Sequence, residues 1–407
     1  MPRLRPFRGI RYSPTQRLAD VTCPPYDVIS PEEQTRLHER DPNNAVRLEL
    51  AQTGDDEDGK YKNASETFRR WLDDGVLQQD EEPSFYVYRQ DFTGDDGARR
   101  RVVGVIGALE LEPFGSGVLP HERTMPGPKK DRLALMRALP VNISPIYAIY
   151  RGGGGVASFY GSLADRPPVG RFQDEQGILH RLWKVTAPAE IELLAEALAP
   201  GPLVIADGHH RYETALAFAE ESGDELPEAG TVMCLAVDAD AEELVVLPYN
   251  RALRSPEGPE PIVDALASLG ARPIDPAAAK TELEKSTADH PFVFVTKDGE
   301  WLVEVSDEYV TRAVGERAPA WRDLDVVALH EVLLPEVAPN AQEIVFSKDP
   351  EEVRRLVQEE GWTAGVLLRA LHPAEVVEVA RSGERMPQKA SYFWPKAITG
   401  LVFHPLS

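Results

Sequence analysis

The chain has 407 residues, 42% hydrophobic and 27% charged, an ordinary globular composition with length for two or three domains or one elaborate one. Its 44 Lys and Arg against 67 Asp and Glu leave a formal charge of −23, so a nucleic-acid backbone or an anionic membrane is repelled on average. Two cysteines, Cys23 and Cys234, cannot build a disulfide framework or a zinc cluster, no stretch has the length of a membrane span, and MPRLRPFRGIRYSP lacks the apolar core of a secretory signal. A cytoplasmic protein without nucleic-acid or membrane partners is expected.

In chain order, residues 1–85 read as an N-terminal α/β segment. It holds the rigid VTCPPYDVIS loop, then a helix capped by Ser30 with Pro31 at its first position and Glu33 at the box position. Tyr61, Ala64, Phe68, Trp71 and Leu72 share one face of a helix over residues 60–75. Residues 86–254 read as the core. Phe85–Tyr88 and Val102–Ile106 are strand-like around a TGDDGARRR hairpin tip. Asp131–Leu139 is a helix, Pro145–Tyr150 a strand, Ala187–Leu198 a helix, Leu203–Ala206 a strand and Tyr212–Glu220 a helix. Val232–Val237 and Leu244–Leu247 read as a strand pair joined by DADAEE. Residues 255–372 form an additional α/β segment: helix 261–269, strands Phe292–Val295 and Trp301–Val305, helix Leu324–Leu334, strand Ile344–Phe346, helix Pro350–Glu360 and strand Ala364–Leu368. Residues 373–407 give a helix to Ser382 and an aromatic tail, MPQKASYFWPKAITGLVFHP, apolar enough to pack back on the body. The class is mixed α/β (α+β), with neither a P-loop nor a dinucleotide glycine fingerprint.

Three polar segments interrupt this pattern. In LPHERTMPGPKKDRLALMRA, His121, Glu122 and Arg123 follow a strand and Lys129, Lys130, Asp131 and Arg132 follow a Gly/Pro loop; Glu122 has the chemistry of a general base and the cations that of phosphate holders, against a reading as a solvated loop. In VIADGHHRYETAL, Asp207 to Arg211 form a strand-to-helix turn. Cations are disfavoured at a helix start unless an anion is held there, which favours a phosphate or carboxylate site over an Asp cap with decorative histidines. A metal site is the competing chemistry, but adjacent His209 and His210 point in different directions and no ligand-spaced pair accompanies them. The third, VTCPPYDVIS, reads on spacing alone as an ordered turn, with Tyr26 and Asp27 as its chemically capable side chains.

These motifs, with the C-terminal MPQKASYFWPKAITGLV, together resemble a widespread prokaryotic domain-of-unknown-function family almost end to end. The Asp-Gly-His-His-Arg turn also resembles the phosphate-binding turn of the ParB/sulfiredoxin-like superfamily, which includes free-serine kinases as well as nucleases, CTP-dependent switches and a reductase, so resemblance of fold does not fix the reaction. The resemblance implies an elaborated ParB/sulfiredoxin-like core. It implies phosphate contacts from Gly208, His209, His210, Arg211, Lys130 and Arg132, and catalytic roles for Glu122, His121 and Asp207, with Glu122 activating a substrate hydroxyl. Tyr26, Asp27 and Arg123 become substrate contacts, ATP or ADP with Mg²⁺ the cofactors, and no protein-held metal is implied. Two departures stand: the chain is several times longer than a minimal kinase core, and Leu247-Pro248-Tyr249-Asn250-Arg251 lacks the histidine of a Pro-Thr-His-Arg-like segment. The expected function is a nucleotide-dependent kinase of free L-serine or a related hydroxy amino acid. The alternatives are a non-catalytic nucleotide-binding regulator and a metal-dependent hydrolase using His121, His209 and His210.

Overall fold

A mixed, mostly antiparallel sheet organises the first of two units into which the computed structural model divides the chain. The structure describes residues 2–52, 59–94, 96–122, 124, 126–152, 155–198, 201–223, 225–240 and 243–407. The first unit is Met1–Pro120, Thr124–Leu244 and Pro395–Ser407; the second is His121–Arg123 and Val245–Trp394.

In the first unit the strands of the main sheet are Leu4–Arg5 (β1), Phe85–Thr93 (β2), Arg99–Glu110 (β3), Val118–Leu119 (β4), Ile146–Tyr150 (β5), Gly170–Gln173 (β6), Leu179–Val185 (β7), Leu203–Asp207 (β8) and Thr231–Asp238 (β9). They run in the order β4-β8-β5-β9-β3-β2-β7-β6, with β1 paired to β3. β4 is parallel to β8 and β5 to β9; the other pairs are antiparallel. The central strands β5 and β9 are buried along their whole length, so they read as continuous apolar runs rather than alternating ones. The longer helices are Pro31–Arg40 (α1), Gly59–Asp73 (α2), Pro126–Ala138 (α3), Pro188–Leu198 (α4) and His209–Ser222 (α5). The face of α2 carrying Ala64, Phe68 and Trp71 is buried with Ile10, Tyr12, Leu139 and Phe403. A second core, under the sheet, gathers Phe85, Val105, Ile146, Ile205 and Tyr212.

In the second unit the strands are Val245–Leu247 (β10), Asn250–Arg254 (β11), Arg272–Ile274 (β12), His290–Thr296 (β13), Gly299–Val305 (β14), Glu343–Ser347 (β15), Ala364–Leu367 (β16) and Tyr392–Trp394 (β17). An antiparallel sheet has the order β12-β14-β13-β16-β11-β15, with the helix Pro350–Glu359 burying Val353, Leu356 and Val357 in the core of this unit.

Three local expectations change. Val245–Leu247 does not pair with β9; it pairs antiparallel with β17, because the preceding strand is already flanked on both edges by β5 and β3. The Leu324–Leu334 helix is not uniformly α: Asp325–Val327 and Leu334–Val337 flank a π-helical stretch, Ala328–Leu333. The helix expected from Tyr212 begins three residues earlier, at His209. Among the described residues no helix is long and apolar enough to cross a membrane.

Candidate functional site

The end of β8 is built by competing demands. Leu203, Val204, Ile205 and Ala206 are buried, and the next residue, Asp207, starts the polar stretch. Gly208 then takes φ +90° and ψ 29° as the N-cap of α5. A Cβ there would stand 3.0 Å from Arg211 Nε, 3.1 Å from its Cζ and 3.1 Å from Ile146 Cγ2, so the conformation favours glycine and a methyl group would press on both side chains. His209, His210 and Arg211 therefore lie in the first turn of α5 rather than in the loop before it, with no acidic residue among them. Their orientation is that of a helix start whose backbone N–H groups and dipole favour an anion.

Antiparallel pairing of β5 with β8 brings Asp207 opposite Tyr147, so the carbonyl of Pro145 lies beside the turn. Arg211 curls back and donates to that carbonyl and, at 2.5 Å, to Asp207 Oδ2. Lys396 donates to the other oxygen, Oδ1. All three side chains are nearly buried: Asp207 13% exposed, Arg211 11% and Lys396 8%. Burial pushes the Asp207 carboxyl upward, but Lys396 and Arg211 more than offset it and hold the group well below the usual carboxylate range. Burial likewise lowers Arg211, and Asp207, Asp27 and Tyr26 together raise it above its ordinary value.

The CPPYD loop and helix α3 meet this group. The Arg132 guanidinium stacks over the Tyr26 ring at 4.4 Å. Arg132 also donates to Asp131 at 2.6 Å and, from Nη1, to the carbonyl of Glu49 at 2.9 Å. Burial and Asp27 push the Tyr26 phenol up, while Arg211 and Arg132 pull the other way. Asp131 accepts from Lys60 at 2.7 Å and Tyr61 at 2.9 Å; burial raises its carboxyl, and Arg132 and Lys60 bring it down to about 2. Four segments far apart in the chain, carrying Tyr26, Arg132, Asp207–Arg211 and Lys396, thus converge inside one unit. Of the remaining phosphate candidates, Lys130 is exposed on α3, His210 is half-buried and His209 is buried. Next to the cluster lies a cleft of about 520 Å³ bordered by Gln34, Lys60, Tyr61, Asp131, Glu49 and Arg132.

His121 and Glu122 belong to the second unit. There the His121 imidazole Nε2 shares a hydrogen bond with Ser391 Oγ at 2.9 Å, and Glu122 Oε1 accepts from the backbone N–H of Lys389 at 3.1 Å. Lys389, at φ +54°, is the one non-glycine residue with positive φ among those described. Its carbonyl accepts from Arg251, a buried guanidinium that also donates to the Tyr249 carbonyl and to His330 Nε2 at 3.1 Å. Burial lowers Arg251 to about 9, opposed by Glu122. Arg123 lies outside the described residues. Cys23 and Cys234 are both buried, and burial pushes both thiols up, away from nucleophile chemistry.

Sequence reasoning left Lys396 inside the aromatic tail without a role and passed over Glu49. The one signal for Glu49 is a carboxylate between two leucines in AVRLELA. For Lys396 no local signal exists, since its partner Asp207 is remote in sequence.

A family model described as "Protein of unknown function (DUF1015)" matches residues 4–327. No curated protein matches the chain. Among solved structures, a conserved hypothetical protein from Pyrococcus furiosus is 13% identical with a TM-score of 0.38, covering 72% of this chain and 92% of its own. A free serine kinase in complex with AMP is 13% identical at TM-score 0.37, covering 71% and 86%. C-terminally truncated SbnI from Staphylococcus aureus is 11% identical at TM-score 0.40, covering 74% and 87%. At such scores no residue of this chain takes a role by superposition.

Proposed function

The chain belongs to the DUF1015 family of proteins of unknown function, and from that premise we propose that its first unit binds nucleotide phosphates at the start of α5 and passes a phosphoryl group to the hydroxyl of a small molecule, free serine or a related hydroxy amino acid. The observation that carries the reading is the convergence of Tyr26, Arg132, Arg211 and Lys396 on a glycine-capped helix N-terminus beside an open cleft. Phosphoryl transfer asks a protein mainly for positioned phosphates and neutralised charge, and buried cations at a helix start supply both. Arg211 and Lys396 are held by Asp207, which fixes their geometry before an anion arrives, so Asp207 has a positioning role.

Among the described residues no group of three or more His, Cys, Asp or Glu side chains is gathered to hold a metal. A Mg²⁺ carried on the nucleotide phosphates would keep most of its water and ask for few ligands from the protein. When bound it would neutralise phosphate charge. The hydrolase alternative lacks a ligand set among these residues.

The test is calorimetry of ATP and ADP with Mg²⁺ on the wild type and Arg211→Ala, followed by an assay for phosphoserine and, with a panel of amino acids and alcohols, for other phosphorylated products. Submillimolar binding lost in the variant, with product formed, is the expected result. Glu122→Gln tests the base that the family resemblance assigns: turnover should fall with nucleotide affinity kept. Binding without any product would leave a nucleotide-binding regulator, and no binding by the wild type would remove both readings.

A further inference from the structure

Behind the α5 turn, still within the first unit, lies a small, partly open cavity of about 50 Å³, where Glu49, Ser144, Thr214, Asn142, Arg132 and Arg211 are set among apolar side chains. Its lining is more apolar than polar, and the polar groups set into it include a buried hydroxyl without a hydrogen-bond partner. The Glu49 side chain is buried, with the residue only 2% exposed. Its carboxylate accepts one hydrogen bond, from the Ser144 hydroxyl at 3.0 Å. No cation among the described residues lies within ion-pair distance of it: Arg132 bonds Asp131 and the Glu49 carbonyl, and Arg211 bonds Asp207 and the Pro145 carbonyl. On the α5 side Thr214, 2% exposed, presents a buried hydroxyl with no hydrogen-bond partner.

An ionised carboxylate has about four acceptor positions, of which Ser144 fills one, and a buried hydroxyl without a partner is costly. The complement to these walls is a group that brings positive charge and several donors. A primary ammonium has three, matching the Glu49 carboxylate and the hydroxyl oxygens of Thr214 and Ser144. Size agrees: a water occupies about 30 Å³ of liquid, so about 50 Å³ admits a head group and not a whole metabolite. The rest of such a molecule has a place to go, because Glu49, Arg132 and Leu135 also border the cleft of about 520 Å³.

We infer that this cavity is an ammonium-binding subsite, with Glu49 and Thr214 receiving the amino group of a small organic amine whose remainder extends into the cleft. That this amine is the phosphoryl acceptor rests on the proposed function; the subsite itself does not need the nucleotide.

The test is calorimetry of the full chain with ethanolamine, L-serine and glycolate, the last a hydroxy acid without an amine. The wild type should bind the two amines and not glycolate. Glu49→Gln and the near-isosteric Thr214→Val should each weaken amine binding by about tenfold or more, the effect of losing a hydrogen bond to a charged group, with ATP affinity unchanged. If Glu49→Gln does not fold, Thr214→Val carries the comparison. No amine binding by the wild type, equal binding by both variants, or glycolate binding as tightly as the amines would each overturn the inference; the first would leave the cavity to a structural water. The two readings fail separately: ATP binding without amine binding removes the subsite alone, and amine binding without ATP binding keeps the subsite and removes its role as acceptor site.

Discussion

Lys396 shows how much one side chain is asked to do. Its ammonium is 8% exposed and bonded to a carboxylate that is itself buried and shared with Arg211. A buried pair contributes little relative to a well-packed apolar replacement, but removing one partner alone leaves charge without compensation, at a cost of about 3–5 kcal/mol. Because Arg211 still holds Asp207, the expected loss for Lys396→Met is at the lower end, about 3 kcal/mol, measured as a drop in the urea midpoint at neutral pH. The sign with pH is fixed by Asp207, whose folded-state pKa lies below its unfolded one. Its stabilisation is present above the unfolded value and is lost as pH falls toward the folded one, so the gap between wild type and Lys396→Met should narrow on strong acidification.

At the scale of elements, the β8–α5 junction carries the site. The strand is apolar and ends where the chain needs charge; the helix starts immediately because Gly208 adopts a left-handed conformation that other residues pay to reach. Gly208→Ala should destabilise the protein by about 1–2 kcal/mol through backbone strain, and its methyl group would displace the Arg211 guanidinium, now 3.0 Å from where the Cβ would stand. Denaturant unfolding reads the first effect and nucleotide calorimetry the second; a variant as stable as wild type, with unchanged binding, would show that the turn relaxes freely. The Ser30 cap belongs to the same scale. Its hydroxyl oxygen accepts from the Glu33 N–H at 3.2 Å, as its sequence context requires, while its own proton goes to Glu32 rather than to the residue at the box position.

Across the whole molecule the acidic excess sets the long-range field, and buried histidines set the response to acid. His404, in the first unit, is 1% exposed, and its Nε2 shares a hydrogen bond with Thr231 Oγ1 at 2.8 Å. Burial, reinforced by Arg5, lowers its pKa to about 3. His330, in the second unit, is lowered to about 3 by burial and by Arg251. Both are neutral when folded and take up a proton near pH 6.5 when unfolded, so stability is fully present above about pH 6.5 and declines as pH falls toward 3. Each contributes up to about one proton to the slope. His404→Gln should flatten the fall in unfolding free energy between about pH 6 and pH 4 by up to one proton, measured by urea unfolding across that range. An unchanged slope would mean that His404 is already protonated in the fold.

The elements were legible in the sequence because each is a local pattern. Period-two and continuous apolar runs marked β2, β3, β5, β8, β13 and β14 to within a few residues, and the spacing of Ala64, Phe68 and Trp71 marked α2. The residue types around Asp207 raise the expectation of an anion site by themselves, since cations at a helix start conflict with the dipole unless something negative is brought there. Tertiary structure alone decided which strand Val245–Leu247 joins, because strand pairing is a contact between segments that periodicity cannot index. It alone decided that Lys396 neutralises Asp207, that Arg132 stacks on Tyr26, and that Glu49 faces a cavity with Thr214. The charges of a site come from the chain locally; which of them compensate one another, and which are left for a ligand, depends on distances that only the folded chain defines.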